Sequence, residues 1–337
     1  MKIAVIGAGS IGGLVGAKLA LAGEDVTFLV RGANLAAIRA NGFTLISAEG
    51  ERQVAKSVRA TNDYIEAGIQ DVVILAMKAH QVEAVVGDMA KLIGPQTLVV
   101  PMQNGIPFWY FDNHGGALAG TPIRSVDPSG KIARAIPGEQ IIGCVVYPAS
   151  ELIAPGVVQH IEGDRFPIGE LNGATTERVT RLSECFGRAG FKSPVLDNIR
   201  SEIWLKLWGN LTFNPISSLS HSTLEDICQF PLTRELATSM MQEAQNVAQK
   251  LGIEFRVSLE RRIAGAEKVG RHKTSMLQDV EAGRAPEIDA LVGSVVELAR
   301  LTNTPTPHID TVYSLVKLLS RMMETQHGQV RLLELAA

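Results

Sequence analysis

Residues 2–23 read KIAVIGAGSIGGLVGAKLALAG, and the fold turns on how this stretch is taken. Lys2, the apolar run from Ile3 to Leu21 and the Ala20-Leu21-Ala22 triplet imitate a secretory signal with its cleavage site. Gly7, Gly9, Gly12, Gly13 and Gly16 would weaken a signal helix, and three of them fall where a dinucleotide-binding turn needs glycine. KIAVI is short, apolar and rich in β-branched residues, whereas the residues after Gly12 take helical spacing up to Gly23. The stretch predicts strand, tight turn and helix. In that turn Gly7 makes the bend, Gly9 lets the backbone approach a pyrophosphate, and Gly12 permits close contact between helix and sheet. The helix start adds unpaired backbone N–H groups and a partial positive charge. A glycine turn used only for packing is the competing reading.

Outward from this unit, the apolar run Val26 to Val30 predicts a second strand, DVVILAM (71–77) a third and TLVVPM (97–102) a further one. Helical spacing in VEAVVGDMAKLI separates the last two. Strands alternating with helices predict an α/β fold with an open, mainly parallel Rossmann-type sheet covered on both faces. Between Phe108 and Gly169, IIGCVVY (141–147) and VVQHI (157–161) suggest extra antiparallel strands. An amphipathic helix up to Ala189 and a strand-like SPVLD follow, and from Ile199 the pattern is almost continuously helical. We therefore expect a dinucleotide-binding domain over 1–195 and an α-helical catalytic domain over 196–337, with the cleft between them as the default site.

The 337 residues are 46% hydrophobic and 20% charged, which excludes a disordered chain. Lys+Arg 32 against Asp+Glu 35 leaves a net charge of −3 with no basic block, so neither nucleic acid nor a membrane surface is an expected partner. Cys144, Cys185 and Cys228 lie far apart without paired spacing and read as reduced thiols of a cytoplasmic protein. The seven histidines are scattered, and no metal is expected. Apolar helical surface in the second half admits a homodimer as well as a core.

Polar residues stand at the ends of the predicted strands. Arg31 follows the second strand, where an NAD-preferring protein carries an acid. A cation there favours the 2′-phosphate of NADP by roughly 1.5–3 kcal/mol, about ten- to a hundredfold. Lys78 in LAMKAHQ and Asn104 in PMQNG fall at the carboxyl end of the sheet, where open α/β sheets bind ligands. In SEIWLKLWGNLTFNP, Lys206, Asn210 and Asn214 recur at i, i+4 and i+8 and share one helical face among Trp204, Leu205, Leu207, Trp208 and Leu211. A partly desolvated lysine can serve as general acid, and amides can hold a carbonyl or carboxylate without adding charge. Buried amides that merely tie helices together are the alternative. KTSMLQDVEAGRAPEID adds Ser275, a candidate for a carboxylate, and Glu287, a candidate to orient a lysine or meet a cofactor.

Taken together, GAGSIG, Arg31, LAMKAHQ, PMQNG, NIRSEIWLKLWGNLTFNP and SMLQDVEAGRAPEID resemble the ketopantoate reductases (2-dehydropantoate 2-reductases) over nearly the whole chain. The resemblance implies a Rossmann-type domain followed by a helical domain like that of 6-phosphogluconate-type dehydrogenases. It also implies NADPH-dependent reduction of 2-dehydropantoate, or a related 2-oxo acid, in pantothenate biosynthesis. By position it makes Lys206 the proton donor and gives Asn210, Asn214 and Ser275 to the substrate. It has Gly7, Ala8, Gly9, Ser10, Ile11 and Gly12 cradle the pyrophosphate; Arg31 goes to the 2′-phosphate, Lys78 and Asn104 line the cofactor and substrate cleft, and Ala149 and Glu287 lie on the cofactor side. Two departures stand out: GCVVYPAS (143–150) where the family has a small polar run, and Leu224 where it has a substrate-contacting Asn. With the aromatic IPFWYF (106–111) they suggest a bulkier or less polar substrate. A 3-hydroxyacid dehydrogenase of the 6-phosphogluconate type and a non-catalytic NADP-binding regulator are the rival readings.

Overall fold

The computed structural model describes residues 1–332. The backbone divides into two compact units, one of residues 1–122 and 127–199, the other of 123–126 and the chain from Arg200 onward.

The first unit runs β1 (Lys2–Ile6), α1 (Ser10–Leu21), β2 (Asp25–Leu29), α2 (Gly32–Asn41), β3 (Phe43–Ile46), β4 (Arg52–Ala55), β5 (Arg59–Thr61), α3 (Tyr64–Ala67), β6 (Val72–Leu75), α4 (Val86–Met89), β7 (Leu98–Pro101), α5 (Lys131–Ala135), β8 (Ile142–Cys144), β9 (Ala149–Ala154), β10 (Val157–Glu162), β11 (Ile168–Glu170) and α6 (Glu177–Arg188). Five strands form a parallel sheet in the order β5-β2-β1-β6-β7. Ile3 to Ile6 and Val72 to Leu75 are fully buried, as central strands covered on both faces must be. The strand order reverses at β1, whose neighbours are β2 on one side and β6 on the other. That is the switch point at which such sheets bind ligands.

A second sheet, β4-β3-β10-β9, was only half visible in the sequence. Its strand β10 is the expected VVQHI run and is antiparallel to β9, which the sequence did not announce; β10 joins β3 in parallel, β3 is only four residues long, and β4 and β5 carry too few apolar residues to stand out from their surroundings. α1 lies between the two sheets. A Cβ on Gly16 would meet the Phe28 ring of β2 at 2.4 Å, and one on Gly13 would meet the Phe43 ring of β3 at 2.6 Å. Gly13 and Gly16 are one turn apart, so both rings lie on one side of α1, while Leu14, Val15, Ala17 and Leu19 are buried as well; a helix buried all round must be apolar all round, and this is why residues 3–21 imitate a signal segment.

Three expected elements differ. The helix of VEAVVGDMAKLI is a 3₁₀ turn (Ala79–Ala84) followed by the single turn α4. SPVLD (193–197) makes only an isolated bridge, Val195 to Ile168, and Lys192 just before it bridges Arg165. The strand in IIGCVVY is confined to β8.

The second unit is helical: α7 (Ile199–Ser220), α8 (Leu224–Gln229), α9 (Pro231–Lys250), α10 (Leu259–Lys268), α11 (Ser275–Glu281), a π-helical turn (Asp289–Gly293), α12 (Ser294–Leu301) and α13 (Pro307–Gln326). Thr223, Ser258 and Thr274 accept backbone N–H groups at the starts of α8, α10 and α11. Trp204 and Trp208 of α7 and Met240, Met241 and Val247 of α9 are buried, and Trp208 joins the two helices. Trp208 Nε1 donates to the Met241 carbonyl at 2.8 Å, while its ring lies 4.2 Å from that of Phe255. No helix among the described residues is long and apolar enough to cross a membrane.

Candidate active site

In the turn after β1 each glycine has a separate reason. Gly7 has φ +96°, a conformation that L residues rarely adopt, and its N–H donates to the Leu29 carbonyl of β2. A Cβ on Gly12 would lie 1.9 Å from the Gly7 carbonyl oxygen and 2.9 Å from Ala76 Cβ, so helix and turn could not close around any larger residue. Gly9 is different. It caps α1 with φ −79°, and a Cβ there would meet nothing within 4 Å. No contact among the described residues calls for glycine at that place; the close approach of an outside group would. The first turn of α1 leaves N–H groups without intrahelical acceptors, and it contains no acidic side chain. The peptide dipoles therefore present uncompensated partial positive charge beside Gly9.

The other strand ends converge on this turn. Ala76 and Met77, which follow β6, are the atoms nearest to Gly7, and half-buried Lys78 comes next in the chain. Gln103 holds the ends of β6 and β7 together: its Nε2 donates to the carbonyls of Leu75 at 2.7 Å and Met77 at 3.0 Å, and half-buried Asn104 follows it. Arg31 is exposed at the end of β2 and caps α2. Asn34, one turn along α2, donates from Nδ2 to the Ala8 carbonyl at 3.2 Å and accepts the Gly156 N–H at 2.9 Å. It thereby ties the glycine turn to the β9-β10 hairpin. Ala149 opens β9, which packs against α1. Gly7 to Gly12, Arg31, Lys78 and Asn104 thus share the carboxyl edge of one sheet. The supporting Asn34 and Gln103 escaped the sequence reading, since an amide that bonds only to backbone leaves no spacing signal.

In the second unit α7 carries Lys206 and Asn210, both half-buried, and Asn214, which is 5% exposed. The intervening Gly209 lies under the guanidinium of Arg262 from α10, whose Nη2 is 2.5 Å from where a Cβ would stand. Pro215 removes one backbone donor inside α7, immediately after Asn214. Ser275 is exposed at the first position of α11, behind the cap Thr274. Glu287 is half-buried and its carbonyl accepts the Leu291 N–H, at the entry to the π turn that contains Asp289. Such turns insert one residue into a helix and redirect the side chains beside it. Leu224 opens α8 with its N–H on the His272 carbonyl.

The aromatic run after Asn104 is core. Trp109, Tyr110 and Phe111 are at most 1% exposed, and Gly143 is glycine because the Trp109 ring and Ile199 occupy the space of its side chain. Val145 and Val146 are buried too, while Tyr147 is half-buried with the Arg165 guanidinium 5.1 Å from its ring. The expectation of a bulkier substrate loses the support of the aromatic run. Among the described residues no group of three His, Cys, Asp or Glu is placed to hold a metal ion.

Residues 3–173 match the family model described as ketopantoate reductase PanE/ApbA, and residues 198–320 match that of its C-terminal domain. The chain belongs to the ketopantoate reductase family. A 2-dehydropantoate 2-reductase of Mesorhizobium japonicum is 53% identical over 321 residues, 95% of this chain and 98% of its own. A crystal structure from Ralstonia solanacearum MolK2 superposes with a TM-score of 0.91 at 41% identity, covering 96% of this ketopantoate reductase family member and 98% of that chain. The 2-dehydropantoate 2-reductase of Methylococcus capsulatus follows at TM-score 0.82 and 28% identity, covering 96% and 98%.

Proposed function

We propose that the chain reduces 2-dehydropantoate, or a closely related 2-oxo acid, to the 2-hydroxy acid with NADPH, and that Lys206 is the general acid. The stripe of Lys206, Asn210 and Asn214 on α7 carries this reading: one cation and two neutral amides on a single face otherwise surrounded by buried Trp204, Trp208 and Leu211. The Lys206 ammonium donates a proton to the oxygen of the carbonyl being reduced, where negative charge develops. Asn210 and Asn214 orient that carbonyl, and the Ser275 hydroxyl serves the carboxylate. The 1–195 and 196–337 division assigns dinucleotide binding to the first part and the acid chemistry to the second.

The first unit fits a dinucleotide phosphate. The space over Gly9 and the acid-free first turn of α1 suit a pyrophosphate. Ala8, Ser10 and Ile11 line the same cradle, exposed Arg31 suits a 2′-phosphate, and Lys78, Asn104 and Ala149 complete the cofactor side of this unit; in the second unit the acid assigned to the cofactor is half-buried Glu287. The chemistry that a bound reduced nicotinamide supplies is hydride for C2 of the oxo acid.

We place the protein in the cytoplasm, in keeping with three buried cysteines that form no disulfide among the described residues. A homodimer is proposed through α13, where Leu315, Leu318 and Met322 expose one apolar face; light scattering at graded concentration tests it. The decisive experiment follows NADPH oxidation with ketopantoate beside bulkier 2-oxo acids, with Lys206→Ala as control. Lys206-dependent turnover of ketopantoate is expected, with the variant reduced by about 10²–10⁴-fold in kcat and little changed in NADPH affinity. Near-normal turnover by the variant would remove Lys206 from the chemistry.

A further inference from the structure

The helix that follows Glu287 opens in a π turn, Asp289–Gly293, before it settles into α12. Such turns are rare and recur at functional sites, so this one needs a cause. Asp289, Gly293 and Ser294 build it. The Ser294 N–H reaches back five residues to the Asp289 carbonyl. The Ala290 carbonyl, which an α-helix would give to that N–H, accepts the fully buried Ser294 hydroxyl at 2.7 Å instead. The Asp289 carboxylate accepts the Tyr313 hydroxyl of α13 at 2.8 Å and the Lys317 ammonium at 2.6 and 2.5 Å. Gly293 leaves room for this, since a Cβ there would stand 2.9 Å from the Tyr313 hydroxyl oxygen and 3.1 Å from its Cζ. Burial first, and then Asp289, push the Tyr313 phenol well above its ordinary range, so it stays a donor.

A tie between two helices needs none of this, since an acid on a regular α-helix could meet Tyr313 equally well. What the π turn adds is register. One extra residue in the turn rotates what precedes it by about 100° about the helix axis relative to α12. Two places before Asp289 stands Glu287, whose carbonyl accepts the Leu291 N–H inside the turn. We propose that Tyr313 and Asp289 are positioning residues for Glu287: their hydrogen bond holds the π register, and the register sets where the Glu287 carboxylate stands. The proposal rests on the function proposed above, in which Glu287 is an acid that meets the cofactor.

NADPH binding is measured by nicotinamide fluorescence, with thermal midpoints beside it, for wild type, Tyr313→Phe, Asp289→Ala, Asp289→Asn, Glu287→Gln and the double variant Tyr313→Phe with Glu287→Gln. Tyr313→Phe and Asp289→Ala are expected to weaken binding roughly 10- to 100-fold. Asp289→Asn still accepts the hydroxyl, and recovers most of the affinity although it loses the charge opposite Lys317. In the Glu287→Gln background Tyr313→Phe should have little further effect, because the carboxylate that it places is gone. A pair that only ties helices together would lower the midpoint and act equally in both backgrounds. Such additivity, or unchanged NADPH affinity in Tyr313→Phe while Glu287→Gln weakens it, would overturn the proposal. A second readout separates position from role. In Glu287→Cys the new thiol marks the position against native cysteines that are buried, and adding Tyr313→Phe should change its rate of reaction with a disulfide reagent several-fold. If Glu287→Gln leaves NADPH binding intact, the cofactor role proposed for Glu287 fails. The thiol rate then decides the positioning alone: a changed rate upholds it and an unchanged rate overturns it.

Discussion

Gly9 and Gly12 lie three residues apart in one turn, yet their substitution by alanine should have opposite signatures. For Gly12→Ala the new Cβ would stand 1.9 Å from the Gly7 carbonyl oxygen, so turn and helix must separate by about 1.5 Å to restore an ordinary contact. Both colliding groups are backbone or short side chain, leaving no flexible end to yield. Overpacking of this kind costs roughly 2–4 kcal/mol, and with a midpoint shift of about 2–4 °C per kcal/mol the melting temperature should fall by roughly 5–15 °C. Because the same displacement carries the first turn of α1, dinucleotide binding should also weaken by about 10²-fold. For Gly9→Ala the added methyl meets nothing within 4 Å and φ is −79°, which alanine accepts. Only the poorer helix cap acts on the fold, at most about 1 kcal/mol. The methyl nevertheless occupies the space assigned to the pyrophosphate, so NADPH affinity should collapse while the melting temperature moves by only a few degrees. Differential scanning fluorimetry and titration of nicotinamide fluorescence read the two quantities separately. If Gly9→Ala bound NADPH like the wild type, the open space over Gly9 would not be where the phosphates lie, and the dinucleotide reading of the turn would fail.

Arg31→Gln should lower the preference for NADPH over NADH by about ten- to a hundredfold in kcat/KM, with little change for NADH. Asn34→Ala removes two hydrogen bonds that hold Ala8 and Gly156, and should cost roughly 1–3 kcal/mol in thermal unfolding while weakening NADPH binding. Glu170 lies buried beside Arg178, whose Nε and Nη2 reach its two oxygens at 2.7 and 2.5 Å. Burial pushes its carboxyl up, but the hydrogen bonds from Arg178 and Thr176 more than reverse this, so the net shift is downward from the ordinary 4.5. A depressed carboxylate contributes stability that is present above its unfolded value and is lost as the pH falls through the folded one. Wild type should therefore lose stability below about pH 4.5, and Glu170→Gln should flatten that limb of the denaturation midpoint against pH while being less stable at pH 7. Burial first, and then Glu24, pushes the Cys185 thiol up to about 12, and burial pushes Cys228 up to about 11. Neither should react with a disulfide reagent in the native state, and both should react once denaturant is added.

Legibility in the sequence followed the kind of constraint. The glycine turn was readable because close backbone approach restricts three positions to one residue type in a fixed order, and β1, β6 and β7 were readable because strands buried on both faces are apolar without interruption. β3, a mostly apolar run of only four residues, and the edge strands β4 and β5 were not. Arg52, Gln53 and Val54 of β4 are exposed, and an edge strand with one wet face carries little hydrophobic signal. Lys206, Asn210 and Asn214 announced themselves because polar residues in an apolar helix are out of place. Gln103 and Asn34 could not, since their partners are carbonyls and N–H groups that every sequence has. The aromatic run 106–111 misled for the opposite reason: large rings suit a pocket wall and a core equally well, and only their burial separates the two.

The clamping of α1 explains how so short a turn can be a rigid site. A phosphate cradle built on a helix exposed along one side could shift with that helix, and each binding event would have to offset the ordering. Here Phe28 and Phe43, stacked at 4.9 Å, lie where the side chains of Gly16 and Gly13 would stand, and Gly12 locks the first turn against Gly7 and Ala76. Asn34 then fixes Ala8 from outside. The helix therefore cannot slide along either sheet without forcing a ring into backbone, so its unpaired N–H groups are held in place before any ligand arrives. It follows that the five glycines serve two ends at once. Gly13 and Gly16, which touch no ligand in this reading, should influence NADPH affinity through the position of the helix, whereas Gly9 acts on the ligand directly.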